Sequence, residues 1–357
     1  MDAKTVKLGV VGMGRGRDVA TRALDLDHLK LTAVCDRNLE KLEDAKRHFG
    51  SMGLTDLRYC ADFEELLRSD IDAVFIATDA IYHVPYVLRA LEAGKHVLSE
   101  IPAVNSLEEA KQLKAAVLAH PKLKYMTAEN SCFRSYVNVW KTMREQGSFG
   151  DIVYAEAEYF HADDYRTFRK EDFPEDHWRS FIPAIYYLTH DLGPLLYMMD
   201  DRVTTVTCME PEVQYNPYKR GRQTGAALFR TEKGAVIRIL ICFGAYVGYA
   251  HNYRMVGTRG TIQTDYAKGA VWETTSYARL AEIPGSISAP VTIPIPEAAG
   301  ADHILADKRC VAAFIRSITE DARPPIDVDL GIRISLPGIY AHESAEKGGA
   351  PVEIPTV

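Results

Sequence analysis

The sequence predicts an α/β chain in which a doubly wound parallel sheet comes first, followed by an α+β domain with a large, open-faced, mostly antiparallel sheet. Three observations carry that expectation. Short apolar runs alternate with helical patterns from Val6 to about Glu129. Beyond about residue 130 the runs lengthen and alternate apolar with polar residues. Of 357 residues, 47% are apolar and 25% charged, enough for about two domains with cores of their own.

The elements follow in order. "VKLGVVG", "LKLTAVCD", "DAVFIAT", "HVLSE" and "KLKYMTAE" read as buried parallel strands. Asp62 with Glu65, and Ser106 with Glu109, have the spacing of helix N-terminal capping boxes, and Gly50 and Gly94 sit where helices should end. Next come a helix in "YVNVWKTMREQG" and strands in "IVYAEAEYFH", "TTVTCM", "GAALFRTE" and "AVIRILICF", one sheet face covered and one available for an interface. A last helix, from roughly Asp302 to Asp321, leads to a Pro-containing segment and the tail "GGAPVEIP". No repeat or low-complexity linker intervenes. Residues 1–129 and 130–357 are therefore expected as two domains, the C-terminal segment able to pack back on the first.

Composition narrows the function. A net charge of -7 from 42 basic and 49 acidic residues, without a long basic run, argues against a nucleic-acid surface. Cys35, Cys60, Cys132, Cys208, Cys242 and Cys310 are scattered without CxxC spacing, which suits reduced thiols and no metal site. The N-terminus shows no cleavable apolar region, so a cytoplasmic protein is expected. "GAVIRILICFGAYVGYA" carries Arg238 and three glycines, better for a buried strand pair than a membrane helix.

The first strand runs into "GVVGMGRGRD", with Gly12, Gly14 and Gly16 opening a helix and Met13 expected beside them at the cofactor. Glycines let the backbone approach a pyrophosphate, which free N–H groups at the helix N-terminus then hold. Asp36 ends the second strand 24 residues after Gly12, where a carboxylate accepts hydrogen bonds from an adenosine ribose. A Rossmann dinucleotide site is the inference. The third glycine of the usual pattern would fall at Arg17, with Gly16 one place early. Arg15 and Arg17 either touch phosphate or sit in solvent. Asp36 favours NAD over NADP, although Arg37 beside it can bind a 2'-phosphate. Thr78 and His83, after "DAVFIAT", and Glu100 are expected at the cofactor edge of the sheet.

Three segments supply reactive groups. "AEYFHADD" puts Tyr159 and His161 on one strand face with Ala155 and Ala157, although a lone histidine there is more often a satisfied core residue. "AIYYLTHDLGPLL" puts Tyr186 and Tyr187 just before His190, and Pro194, four residues on, cannot donate the helical bond to the His190 carbonyl. A kink or break is expected at the histidine. "TAENSCF" places Glu129 and Asn130 at the end of the last parallel strand. Glu, Tyr and His without metal-ligand spacing suit acid/base chemistry on a polar substrate.

"GVVGMGRG", "AVCDRN", "DIDAVFIATD" and "ALEAGKHVLSEIP" resemble the Gfo/Idh/MocA oxidoreductases over nearly the whole chain. Most dehydrogenases of that family carry Glu-Lys-Pro where this chain has Glu100, Ile101 and Pro102. The closer resemblance is to the family's NAD-dependent glycosidases, of the α-N-acetylgalactosaminidase kind, on "SEIPA", the "ENSC" segment, Tyr159 with His161, and "YLTHDLGP". The Asn-rich lead-in of those enzymes is replaced here by "SFIPAIY".

That resemblance implies NAD, catalytic roles at Tyr187 and His190 with Tyr159, His161 and Glu129 assisting, and cofactor contact at Asn130. It implies a sugar or glycoside as partner, a substrate contact from Tyr266, and a homodimer or homotetramer through the second sheet. Trp178 and Arg179 in "DFPEDHWRSF" are candidate substrate contacts by their own chemistry, since an indole face stacks on a sugar and a guanidinium grips its oxygens, with a hydrophobic anchor and a surface ion pair as the alternatives. The expected reaction is transient oxidation at a sugar C3, deprotonation at C2, elimination at C1 and rehydration, with no net redox. A net sugar or cyclitol dehydrogenase is the alternative, and a non-catalytic dinucleotide-responsive regulator the third reading.

Overall fold

The computed structural model describes residues 5–161, 178–216, 219–244, 250–264, 274–279, 291–294 and 302–357. The chain divides into two compact units, one of Met1–Glu129, Asp307–Ile332 and Val357, the other of Asn130–Ala306 and Arg333–Thr356.

The first unit runs β1 (Val6–Val11), α1 (Arg15–Ala23), β2 (Leu29–Cys35), α2 (Leu39–Ser51), β3 (Arg58–Cys60), α3 (Phe63–Leu67), β4 (Ala73–Ile76), α4 (His83–Glu92), β5 (His96–Ser99), α5 (Leu107–Ala119) and β6 (Tyr125–Thr127). Its strands are all parallel, in the order β3-β2-β1-β4-β5-β6. The order reverses direction between β1 and β4, which opens a crevice at their carboxyl ends. β4 is buried along its whole length, as a strand covered on both faces must be. β3 is an addition to the sequence reading. Its three residues, "RYC", are too few to show a period.

Caps fix where these helices start. The Asp62 carboxylate accepts the Glu65 N–H at 3.1 Å, and the Ser106 hydroxyl accepts the Glu109 N–H at 3.0 Å. Gly94 ends α4 with φ +72°, in the left-handed region that glycine enters freely. Gly50 does not cap its helix. α2 continues through Ser51, and the positive φ falls at Gly53.

The second unit holds α6 (Ser135–Glu145), β7 (Ile152–His161), α7 (Trp178–Phe181), α8 (Thr189–Met199), β8 (Val203–Met209), β9 (Thr224–Thr231), β10 (Val236–Phe243), β11 (Ala250–Gly257), β12 (Gly260–Thr264), β13 (Thr274–Arg279) and β14 (Val291–Pro294). Then follow α9 (Asp302–Thr319), α10 (Val328–Glu346), both shared between the units' residue ranges, and β15 (Val352–Glu353). The strand order is β14-β13-β12-β11-β7-β10-β9-β8-β15. β7 and β10 run parallel and the other described pairs antiparallel.

Alternation sorts the faces of this sheet. Ala155, Ala157 and Tyr159 of β7 and Ile237, Ile239 and Ile241 of β10 are buried. The other face carries Glu156 and Glu158, gripped by Arg238 at 2.9 and 2.5 Å, and exposed Leu228 and Val236. Burial pushes the Glu156 carboxyl up, but the Tyr154 hydroxyl and the Arg238 and Arg254 guanidiniums outweigh it and hold the carboxyl below its usual range.

α10 is a second addition, since the sequence reads there as a Pro-containing segment. Gly331, Pro337 and Gly338 punctuate it like a loop, yet the glycines answer to close approaches. A Cβ at Gly331 would lie 2.1 Å from Thr127 Oγ1, and one at Gly338 would lie 3.0 Å from the Ile185 carbonyl oxygen. Among the described residues no helix is long and apolar enough to cross a membrane. All six cysteines are free and buried, and burial pushes the Cys208 thiol up to about 12.

Candidate active site

In the first unit, the turn after β1 is shaped by two glycines for different reasons. Gly12 has φ +96°, and a Cβ there would meet the Ala77 carbonyl oxygen at 2.3 Å. Gly16 would bring a Cβ to 2.9 Å from Val10 Cγ1 and 3.1 Å from Ala77 Cβ, so it provides the close helix-to-sheet packing usually assigned to a glycine one position later. Gly14 caps α1 and has open space where its Cβ would be. Asp36 Oδ2 accepts the Met13 N–H and Oδ1 the Asn38 N–H, each at 2.8 Å, which ties the turn to the end of β2.

A crevice glycine with empty space beside it, a helix N-terminus and a carboxylate at the tip of β2 fit a dinucleotide. Gly14 and the first turn of α1 would hold its pyrophosphate, and Asp36 its adenosine ribose. A cavity of about 420 Å³ lined by Lys30, Thr32, Leu54, Arg58 and Asp70 lies at the opposite, amino edge of the sheet and contains none of these residues.

Several expected cofactor residues have other duties. Arg15 donates to Glu100 Oε1 at 3.1 Å and, through both terminal nitrogens, to Asp307 at 3.0 and 2.6 Å. Burial works against the Arg15 charge, but Glu100 and Asp307 outweigh it and keep the guanidinium protonated. Arg15 is therefore an ion-paired brace for Glu100. Arg17, half-buried, lies beside Asp18, 3.3 Å away. Arg37 rests over the Tyr82 ring, 4.9 Å from its centroid, and is hydrogen-bonded to the Tyr82 hydroxyl at 3.1 Å. Thr78, half-buried, directs its hydroxyl to the Asp79 carbonyl at 3.4 Å.

His83 is corrected more fully. It is 1% exposed, its Nδ1 is 2.9 Å from the Pro102 carbonyl and its Nε2 3.1 Å from that of Thr78. Both ring nitrogens face protein acceptors, so the ring braces the turn after β5 instead of touching a cofactor. Ile101 precedes Pro102 through a cis peptide bond, and its N–H points at Glu100 Oε2, 3.3 Å away. Glu129, at the end of β6, exposes no surface and so offers none to a substrate.

In the second unit, rings gather around the buried face of β7. Tyr159 meets His190 edge-on at 5.7 Å between centroids, His161 at 5.9 Å and Phe243 at 5.3 Å. Tyr187 joins through Phe243, 5.1 Å away, while Tyr186 turns towards His342 at 6.1 Å. The expected irregularity lies one residue before the histidine. A 3₁₀ turn, Ala184–Leu188, passes into α8 at Thr189, which sorts the adjacent tyrosines to different neighbours. The Ser131 hydroxyl lies 3.3 Å from His190 Nδ1. Asn130 is buried in the 3₁₀ turn Asn130–Phe133.

Asp191, His251 and Tyr253 were missed by the sequence reading and belong to this cluster. His251 Nδ1 is 3.0 Å from Asp191 Oδ1, and the Tyr253 hydroxyl donates to the His190 carbonyl at 2.6 Å. The alternation of "AHNYRM" on β11 puts His251 and Tyr253 on one face, a signal that the two-residue period of a strand carries by itself. Tyr266 and the side chains of Trp178 and Arg179 lie outside the described residues. Among the described residues no group of three or more His, Cys, Asp and Glu side chains is arranged to hold a metal. The half-buried imidazole of His190 and phenol of Tyr187 can exchange protons with a polar ligand.

Residues 6–128 match the sequence model described as oxidoreductase family, NAD-binding Rossmann fold, and residues 138–263 match that of the GFO/IDH/MocA C-terminal domain. A glycosyl hydrolase family 109 protein of Porphyromonas gingivalis is 28% identical over 281 residues, covering 72% of this chain and 59% of the relative. A glycosyl hydrolase family 109 protein of Bacteroides thetaiotaomicron is 28% identical over 287 residues, covering 72% and 60%. The chain thus spans somewhat over half the length of the curated relatives it matches.

Among solved structures, levoglucosan dehydrogenase in complex with NADH and L-sorbose superposes with a TM-score of 0.84 at 19% identity, covering 99% of this chain and 100% of that one. Scyllo-inositol dehydrogenase from Lactobacillus casei, with NAD(H) and scyllo-inositol bound, gives 0.79 at 23% identity, covering 98% and 99%. At these identities the likeness is one of fold.

Proposed function

From the premise that this chain belongs to the Gfo/Idh/MocA oxidoreductase family, with an NAD-binding Rossmann domain, we propose that it acts on a sugar or glycoside by transient oxidation at C3, deprotonation at C2 and elimination at C1 followed by rehydration, without net redox. One observation carries the reading. Ile101, which can transfer no proton, stands between Glu100 and Pro102, and the proton-transfer groups of the second unit gather instead around His190. The relatives named as glycosyl hydrolases agree with it.

Bound NAD supplies reversible hydride exchange at a sugar carbinol carbon. The chain's own residues handle the protons. His190 accepts the C3 hydroxyl proton and Tyr187 handles the C2 proton, which a C3 ketone makes acidic. Tyr159 and His161 orient hydroxyls and assist departure at C1. Because the leaving group departs by elimination, no pair of carboxylates at glycosidase spacing is needed. Asp36 favours NAD over NADP by opposing a 2'-phosphate. The outward face of the second sheet, with Leu228 and Val236 exposed between paired charges, suits a homodimer or homotetramer, which light scattering on wild type and Leu228→Glu would test.

The test is a panel of nitrophenyl glycosides turned over in deuterium oxide by the NAD-loaded protein. Deuterium at the sugar C2 is expected, and His190→Ala should lower turnover roughly 10²- to 10⁴-fold. Product without C2 exchange would overturn the reading. Stoichiometric NADH accumulation from a simple polyol would assign a net sugar or cyclitol dehydrogenase instead.

A further inference from the structure

One strand lies behind both His190 and Tyr159. On β11, His251 and Tyr253 face the same side and are 0% and 2% exposed, so neither is open to a substrate. His251 makes contacts of different kinds. In the ring plane, Nδ1 meets the equally buried Asp191 carboxylate at 3.0 Å. Across the ring face, it stacks on Tyr159 with centroids 4.0 Å apart and planes 18° from parallel. Its edge relation to His190, 6.2 Å and 88°, closes a triangle with the 5.7 Å contact between His190 and Tyr159.

Tyr253 acts on the other corner. The helical donor to the His190 carbonyl would be the N–H of residue 194, and Pro194 has none. The Tyr253 hydroxyl donates to that carbonyl at 2.6 Å. Burial, with Tyr136 and Asp191 nearby, pushes the phenol well above its ordinary value, so it remains a donor.

We propose that Asp191, His251 and Tyr253 are the positioning residues of the His190 and Tyr159 centre, fixing the ring plane of Tyr159 and the backbone of His190 without touching substrate. The proposal rests on the reading of that centre as the proton-transfer site. Packing alone does not ask for these residues. Leucine or phenylalanine would fill the same space, whereas a buried aspartate and histidine lose hydration and persist where direction matters. Direction is what the contact with Asp191 provides, since a carboxylate acceptor keeps the proton on Nδ1 and fixes the ring's rotation. Proton transfer is sensitive to such control, because a misplacement of about 1 Å can cost roughly 10²-fold in rate.

The test uses the full-length, NAD-loaded protein as wild type, Asp191→Asn, His251→Asn, Tyr253→Phe and the double variant Tyr253→Phe with Pro194→Ala. With whichever nitrophenyl glycoside the wild type turns over, the single variants should lose about 10- to 100-fold in kcat while KM and NAD affinity stay within about threefold. The double variant regains an N–H at residue 194 and should recover most of the rate lost in Tyr253→Phe. Unchanged kcat, a rise confined to KM, or failure of that rescue would overturn the proposal.

Nitrogen-15 histidine spectra of the same proteins decide the matter without turnover. His251 should carry its proton on Nδ1, the His190 signals should move in Tyr253→Phe, and they should return in the double variant. If the wild type cleaves nothing, the proposed function fails while these spectra still test the positioning. If His251 is bare at Nδ1 and His190 is unmoved by every variant, the positioning fails whatever the substrate. Asp191→Asn keeps the shape of the side chain, and if it does not fold, Tyr253→Phe, which removes one hydroxyl, carries the test alone.

Discussion

Asp307 takes both terminal nitrogens of Arg15, at 3.0 and 2.6 Å, although 292 residues separate them in sequence. Arg22 also reaches the same carboxylate, whose side chain is 1% exposed. Asp307→Asn would leave two guanidiniums around a neutral group. Since each arginine keeps part of its surface in water, the loss should be about 2 kcal/mol, below the usual cost of breaking a fully buried pair. Urea titration of the two proteins checks it, and an unchanged midpoint would mean the cluster contributes nothing.

Gly12 and Gly14 should separate folding from cofactor binding. Gly12→Ala places a Cβ 2.3 Å from the Ala77 carbonyl oxygen at φ +96°, and should lower stability by about 2 kcal/mol or more. Gly14→Ala meets nothing within 4 Å and should melt like the wild type. The space that its methyl fills is the one a pyrophosphate needs, so NAD affinity should fall about tenfold or more, measured by calorimetry.

The two adjacent tyrosines should behave differently. Tyr187 meets Phe243 beside the His190 cluster and Tyr186 meets His342. Tyr187→Phe should lower kcat roughly 10²-fold and Tyr186→Phe should leave it within about twofold. Equal effects from both would remove Tyr187 from the proton-transfer role.

His342 gives a pH dependence of stability. Its Nδ1 lies 2.8 Å from Glu210, and that hydrogen bond outweighs burial to raise the imidazole above its ordinary 6.5. The folded state therefore holds this proton more tightly than the unfolded chain. The stabilisation is complete below about pH 6.5 and fades as pH rises through the folded value. Melting temperatures from pH 5 to 9 should show the extra stability at the acid end, and His342→Gln should remove that component.

The first unit was largely legible because local signals agree there. The capping bonds at Asp62 and Ser106, the glycine at 94 and the tie from Asp36 to the Gly-rich turn all follow from short spacings. α10 was hidden because Gly331 and Gly338 serve packing against Thr127 and Ile185, and glycine in a sequence reads first as a turn. The partners that the structure gives His83 and Arg15 are not legible in the sequence. Their carbonyl and carboxylate acceptors come from Pro102 and Asp307, which no local pattern connects to them. Asp191 and His251 were invisible as a pair for the same reason. Sixty residues separate them, and only the packing of α8 against the sheet that holds β7 and β11 brings them together.

The junction of 3₁₀ turn and α-helix before His190 makes this segment intolerant of slippage. A 3₁₀ turn advances about 120° per residue and an α-helix about 100°, so each side chain's heading depends on where the winding changes. One residue inserted between Pro183 and Tyr186 would turn Tyr186 to the heading Tyr187 now has and Tyr187 to that of Leu188, leaving both tyrosines in place by name and function scrambled. Substitutions in "AIYYLTH" other than at Tyr187 and His190 should therefore be far better tolerated than length changes, a distinction that insertion libraries read directly.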